Sequence, residues 1–279
     1  MKALQLPLAL VLLLGCFSAT AVSQRADAVE KKLMRRAHDV EYAVIPLMYW
    51  GAHGREPEKA AVVGTGFLIN EQGYFITAAH VLAVYEPNSG QLTATIRQKD
   101  GNSSGRRFDV IEKDDSRDLA LCKIKGFTPH FPKAMVADHP DAQTPFASVR
   151  VSDAAVQAGQ FVVLAGFPLG SWNPTIQLGT VAAIRTISPG AGRVPAGQRE
   201  LLQISVSGNK GNSGSPVISL DSGKVVGVVV QEITAPLYSN FEASLPFGQS
   251  SGIMLAVPAP WILELLTKHN VKSVSKGPS

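Results

Sequence analysis

From about residue 42 to residue 258 the chain runs as short apolar stretches cut apart by turn formers, and this rhythm sets its fold class. "YAVIPLMYW", "AVVGTGFLIN", "YFITAAHVL", "LTATIR", "RFDVIE" and "LALCKI" fill the first half. "QFVVLAGF", "IQLGTVAAIR", "LLQISVS", "SPVISL", "KVVGVVVQEI" and "SGIMLAVP" fill the second. "NEQG", "PNSG", "KDGNSSG" and "LDSG" separate neighbouring runs, and Gly, Asn and Asp are the residues that turns demand. Runs of this length match strands, and their spacing suits a barrel or a sandwich. The expected class is all-β.

Helical patterns flank the strands. Val29, Leu33, Ala37 and Val40 recur at helical spacing and predict an amphipathic helix within 22–40. "PAPWILELLTKHN" sets Ile262, Leu265 and Leu266 in a stripe behind a proline start, which predicts a second helix over 258–270. Residues 271–279 read as a tail. Between the two β halves, residues 126–146 carry four prolines and no strand pattern, which makes them the natural connector. "RTISPGAGRVPAGQRE" reads as a long surface loop.

The first 21 residues belong to none of this. "MKALQLPLALVLLLGCFSATAVSQ" has an early Lys, an apolar stretch from Ala3 to Leu14 and then small residues. That is a secretory signal peptide, with an apolar part too short for a membrane span, so the chain is expected to be exported. Two processing routes fit. "LLLGC" places Cys16 as in a bacterial lipobox, and "ATA" at Ala19 to Ala21 fits ordinary cleavage after residue 21. With Cys16 in the leader, Cys122 stands alone and no intramolecular disulfide is expected. Cys122 sits in an apolar strand pattern and reads as a small buried filler. With 45% hydrophobic and 17% charged residues the composition is globular, and the net charge of +4 is mild and scattered. No basic groove with interleaved aromatics is present, so nucleic acid is not an expected partner.

One turn asks for chemistry. "GNSGSP" holds Ser213 between Gly211 and Gly214. A serine hydroxyl is a weak nucleophile unless a base takes its proton and an acid orients that base. Of the six histidines, His38, His53, His130, His139 and His269 fall in helix ends, loops or the connector and read as surface residues. His80 differs, because it closes "YFITAAH", where Ala78 and Ala79 would let other backbone pack close. "DDSRDLALCKI" offers Asp114, Asp115 and Asp118. Only Asp118 abuts the apolar run, and burial of that run anchors it; the other two read as solvated loop acids.

"TAAH", "DLAL" and "GNSGSP", in the order His, Asp, Ser, resemble the trypsin-like (chymotrypsin-fold) serine proteases, and the HtrA/Deg-type bacterial branch most nearly. "GTGFLINEQGYFITAAHVL", "RDLALCKI", "VVLAGFPLG…IQLGTVAAI" and "GIMLAVP" carry the likeness, which covers roughly residues 40 to 270. The resemblance implies two six-stranded β-barrels within 41–257, the first over about 41–130 and the second over about 145–257, with the site between them. It implies Ser213 as nucleophile, His80 as general base, Asp118 as orienting acid, and the N–H groups of Gly211 and Ser213 as oxyanion hole. It implies peptide or protein as substrate, with no cofactor and no metal. The primary pocket would be formed by Ser207, Val230, Glu232 and Met254. A serine at 207, six residues before the nucleophile, gives no acid for Lys or Arg, so small or medium apolar residues are the expected preference.

Two departures matter. Asn212 carries no charge, so activation by a freed N-terminal amine is not expected, and with nine residues following Asn270 a PDZ domain is not expected either. A catalytically silent peptide-binding scaffold and an esterase using the same three residues are the alternative readings. Membrane association is expected only through a lipid on Cys16.

Overall fold

The computed structural model describes residues 26–51, 60–83, 92–97, 103–127, 149–186, 200–235 and 249–273. The expected signal segment with Cys16, most of the connector, the Gly/Pro-rich loop after residue 186 and the end of the tail lie outside the described residues. No described helix is long and apolar enough to cross a membrane.

Helix α1 (26–40) precedes seven strands: β1 (Val44–Trp50), β2 (Ala60–Leu68), β3 (Tyr74–Thr77), β4 (Leu92–Arg97), β5 (Ser103–Arg106), β6 (Phe108–Asp114) and β7 (Leu119–Ile124). The short helix α2 (Ala79–Ala83) follows β3. The second half holds β8 (Phe161–Gly166), β9 (Thr175–Arg185), β10 (Leu201–Ser205), β11 (Pro216–Ser219), β12 (Val225–Ala235) and β13 (Gln249–Pro258), then helix α3 (Ala259–Lys268).

The all-β expectation holds. The second half is a closed six-stranded barrel in the order β10-β13-β12-β11-β8-β9. The first half is a half-barrel: its seven strands run β5-β4-β1-β2-β3-β7-β6, and among the described residues no pairing joins the two edges. The edges are joined by the chain itself. β5 and β6 are consecutive and separated only by Arg107, so one stretch bends there, pairing with β4 before the bend and with β7 after it. Counted as one bent strand, they give the six strands expected.

Many of the strands are apolar on both faces because both faces are covered. In β7, Ala120, Cys122 and Ile124 point into the core of the first half, while Leu119 and Leu121 point into a layer shared by the two halves. In β13, Met254 and Ala256 fill the closed barrel, while Leu255 and Val257 join the shared layer. This is the period-2 alternation of a strand, with apolar residues on each side. Phe75 and Phe108 meet edge to face at 5.2 Å inside the first half.

The helices seal this arrangement. In α1, Val40 is buried and Val29 and Leu33 pack on the shared layer, while Arg36 donates to the carbonyls of Leu220 (3.1 Å) and Asp221 (2.7 Å). In α3, Ile262, Leu265 and Leu266 are buried in the same layer. Its polar side reaches the first half: Lys268 bonds Glu112 at 2.7 Å, Glu264 bonds Arg117 at 2.9 Å, and Arg117 lies over Trp261 at 5.1 Å. His269, expected on the surface, is partly buried and hydrogen-bonds Glu112. Lys268 first and His269 second hold the Glu112 carboxyl below its ordinary value.

Candidate active site

β3 ends at Thr77, and the buried Ala78 and Ala79 lead directly into His80 in α2. Asp118 closes the turn between β6 and β7, with a positive φ of 55°. Burial of Leu119 anchors it, as its position before the apolar run implied. The turn itself is shaped by Asp114, whose Oδ1 accepts from Ser116 N (3.0 Å), Ser116 Oγ (2.6 Å) and Arg117 N (3.2 Å). Asp114 is therefore a turn-forming residue rather than a loose loop acid. Asp115 is exposed and pairs with Lys113 at 2.9 Å.

His80 and Asp118 are joined by backbone and side chain. Ala79 N donates to Asp118 O at 3.1 Å, and His80 N donates to Asp118 Oδ1 at 2.8 Å. The imidazole Nδ1 lies 2.7 Å from Asp118 Oδ2. An ionised carboxylate only accepts, so Nδ1 carries the proton and Nε2 is left as the basic nitrogen. The Asp118 side chain is 13% exposed and the His80 side chain 46%, so a sheltered acid holds a base that faces solvent.

The Ser213 turn belongs to the second half but rests on the first. Gly214 (φ 87°) is so close to β2 and β3 that a Cβ there would lie 2.0 Å from Thr65 O and 2.4 Å from Thr77 Oγ1. The same point is 3.1 Å from Ala78 N, two residues before His80. This contact brings the serine turn to the His80 segment. Thr65 N donates to Ser213 O at 2.8 Å, and Gly214 N donates to Val229 O at 2.7 Å. Gly211 (φ 100°) passes so near Phe167 that a Cβ would lie 2.2 Å from its carbonyl oxygen. Only glycine fits both the angle and the space.

Neither the Gly211 N–H nor the Ser213 N–H has an acceptor among the described residues. Asn212 between them is buried, and its Nδ2 has no partner among the described residues.

The expected pocket residues spread over more than one environment. Ser207 is exposed, and Val230 and Glu232 are partly buried. Met254 is buried in the closed barrel, directly across from Glu232 in register and packed under Gly208. Cys122 is fully buried, and burial pushes its thiol far above its ordinary range, so it stays unreactive. Among the described residues no three His, Cys, Asp or Glu side chains are grouped to hold a metal ion.

Two contributors were not anticipated. Thr65 is fully buried in β2, and Leu169, with a positive φ of 54°, donates its N–H to Lys210 O at 2.7 Å. They lie within "GTGF" and "GFPLG" respectively. Nothing in their residue types announces backbone bonds to a turn more than forty positions away.

Residues 64–228 match the model of the trypsin-like peptidase domain. The Do-like protease 14 of Arabidopsis thaliana is 30% identical over 234 residues, 79% of this chain and 48% of that protein. A DegP-like periplasmic serine endoprotease of Rhizobium meliloti (strain 1021) is 30% identical over 210 residues, 75% of this chain and 33% of its own length. The chain thus spans half or less of these relatives. The solved structure of the HtrA-type protease AlgW with a tripeptide superposes with a TM-score of 0.56 at 18% identity, covering 86% of this chain and 64% of that one.

Proposed function

Because the chain belongs to the trypsin-like peptidase family, we propose that it is an exported serine endopeptidase that cleaves peptide bonds through an acyl-enzyme. The observation that carries this reading is one convergence. A serine turn with two N–H groups that have no acceptor among the described residues is packed against the segment bearing an Asp-held imidazole.

His80 Nε2 takes the proton of Ser213 Oγ as that oxygen attacks the scissile carbonyl. The carbonyl oxygen gains negative charge and is stabilised by the N–H groups of Gly211 and Ser213, which are already oriented. Asp118 keeps the imidazole in the required tautomer and stabilises its protonated form. The imidazolium then protonates the leaving amine, and the C–N bond breaks. Water, deprotonated by His80, attacks the acyl ester and regenerates Ser213. These residues account for every proton moved.

Ser207 supplies no charge for a basic side chain, and a buried cation without a partner is strongly disfavoured. Glu232 is partly exposed, where solvent screening weakens it. Cleavage after small or medium apolar residues is therefore the reading for specificity. Export is supported by the leader pattern and by the periplasmic relative, with Cys16 either lipidated or removed. Intact mass of the mature protein separates the two: acylated Cys16, or a start at Val22.

The test is cleavage of a mixed peptide library by the purified protein and by Ser213→Ala. The reading expects cleavage after Val, Ala or Leu by the first and none by the second. Equal cleavage by both proteins refutes the assignment of Ser213.

A further inference from the structure

We propose that Thr65, a residue of the first half, is a positioning residue that holds the oxyanion-binding turn of the second half in its working shape. The proposal rests on the peptidase reading above and adds a residue to it.

An N–H group points wherever its peptide plane points, and the plane is fixed by what its carbonyls bond. Gly211 and Ser213 are each flanked by two peptides, and all four carbonyls are held. Lys210 O accepts from Leu169 N at 2.7 Å, and Asn212 O accepts from Ser215 N at 2.9 Å. The remaining two are held by one residue. Gly211 O accepts from Thr65 Oγ1 at 2.7 Å, and Ser213 O accepts from Thr65 N at 2.8 Å.

The hydroxyl also accepts from Phe167 N at 3.2 Å, so it ties the Gly211 peptide to the strand end that Gly211 crosses. Thr65 is itself fixed, because its carbonyl accepts from Thr77 Oγ1 at 2.7 Å, three residues before His80. All of Thr65's polar groups are engaged, three of its four bonds cross between the halves, and the residue is fully buried. The hydroxyl holds the Gly211–Asn212 peptide, and the Gly211 N–H lies on the adjoining Lys210–Gly211 peptide across the Gly211 Cα. Removing the hydroxyl would allow rotation at that Cα and shift the adjoining N–H away from the reacting oxygen. Ground-state binding of a peptide, which does not need that N–H, would be little affected.

The experiment compares full-length wild type, Thr65→Val and Thr65→Ser on one cleaved peptide, with melting temperature measured alongside. Valine keeps the shape and removes the hydroxyl; serine keeps the hydroxyl and removes a methyl. The expected result for T65V is a fall in kcat of about tenfold or more, with KM within about twofold. T65S is expected to melt lower than wild type yet keep kcat within about threefold, so activity follows the hydroxyl rather than stability. T65V with wild-type kcat overturns the proposal, as does kcat that tracks melting temperature in both variants. If T65V does not fold, Thr65→Cys replaces it with the same expectation. Failure of both to fold beside a folded T65S would make Thr65 a folding element and overturn the positioning role. A wild type that cleaves nothing refutes the peptidase reading itself, a result distinct from any of these.

Discussion

Replacing Gly211 with alanine tests whether backbone geometry alone makes this turn competent. A Cβ at 211 would lie 2.2 Å from Phe167 O and 3.4 Å from Pro168 Cα, and the backbone there has a φ of 100°. The obstructing atoms are main chain, so no rotamer change relieves the overlap. The angle costs a non-glycine residue about 1–3 kcal/mol. The overlap adds to this unless the turn moves away from Phe167. Such movement carries the Gly211 N–H with it and removes one of the two donors for the oxyanion. Loss of one such donor costs about 10²- to 10³-fold in kcat, or about 2.7–4 kcal/mol of barrier. Steady-state kinetics on a cleaved peptide should therefore show kcat reduced at least about 100-fold for G211A. The angle alone should lower the melting temperature by about 2–12 °C, since about 1 kcal/mol shifts a domain of this size by about 2–4 °C. A folded G211A protein with undiminished kcat would refute the reasoning, because it would show that the turn's shape is not needed.

The same contacts set other outcomes. Asp118→Asn should lower kcat about 10⁴-fold without unfolding the protein, because the amide can present a donor to Nδ1 and favour the wrong tautomer; kcat and circular dichroism check this. Cys122→Ser buries a hydroxyl in an apolar core and should cost about 1–3 kcal/mol in urea unfolding with kcat unchanged. The bonds from Lys268 and His269 lower the pKa of Glu112, so their stabilisation is fully present above its ordinary value of 4.5 and is lost as pH falls through the lowered value. Acid titration of unfolding stability should therefore be steeper for wild type than for Glu112→Gln, and identical slopes would contradict the role of this contact.

How much was legible in the sequence depended on whether a residue's role was set by its neighbours in the chain. "LALCKI" announces a strand buried on both sides, and Asp118 is marked by standing directly before it. His80 is marked by the two alanines that admit close packing, and Gly211 and Gly214 by the turn they must make. The bend at Arg107 was not legible, since β5 and β6 are continuous in sequence and are divided only by which strands they meet. Asp114 looked like a loop acid because its three bonds are to turn atoms that exist only once the turn has formed. His269 looked exposed because its partner, Glu112, is contributed by the other half. Thr65 was the least legible. A threonine within an apolar strand reads as a tolerated polar residue, and its partners at 167, 211 and 213 come from the second half.

The central claim is that Ser213 is an activated nucleophile, and a fluorophosphonate probe tests it most directly, because only an activated serine is phosphonylated. The wild-type protein, labelled and digested for peptide mapping by mass spectrometry, should carry the probe on Ser213 alone. Labelling should vanish in Ser213→Ala and fall steeply in His80→Ala. A folded wild-type protein that takes up no label, or takes it up on another serine, would contradict the account.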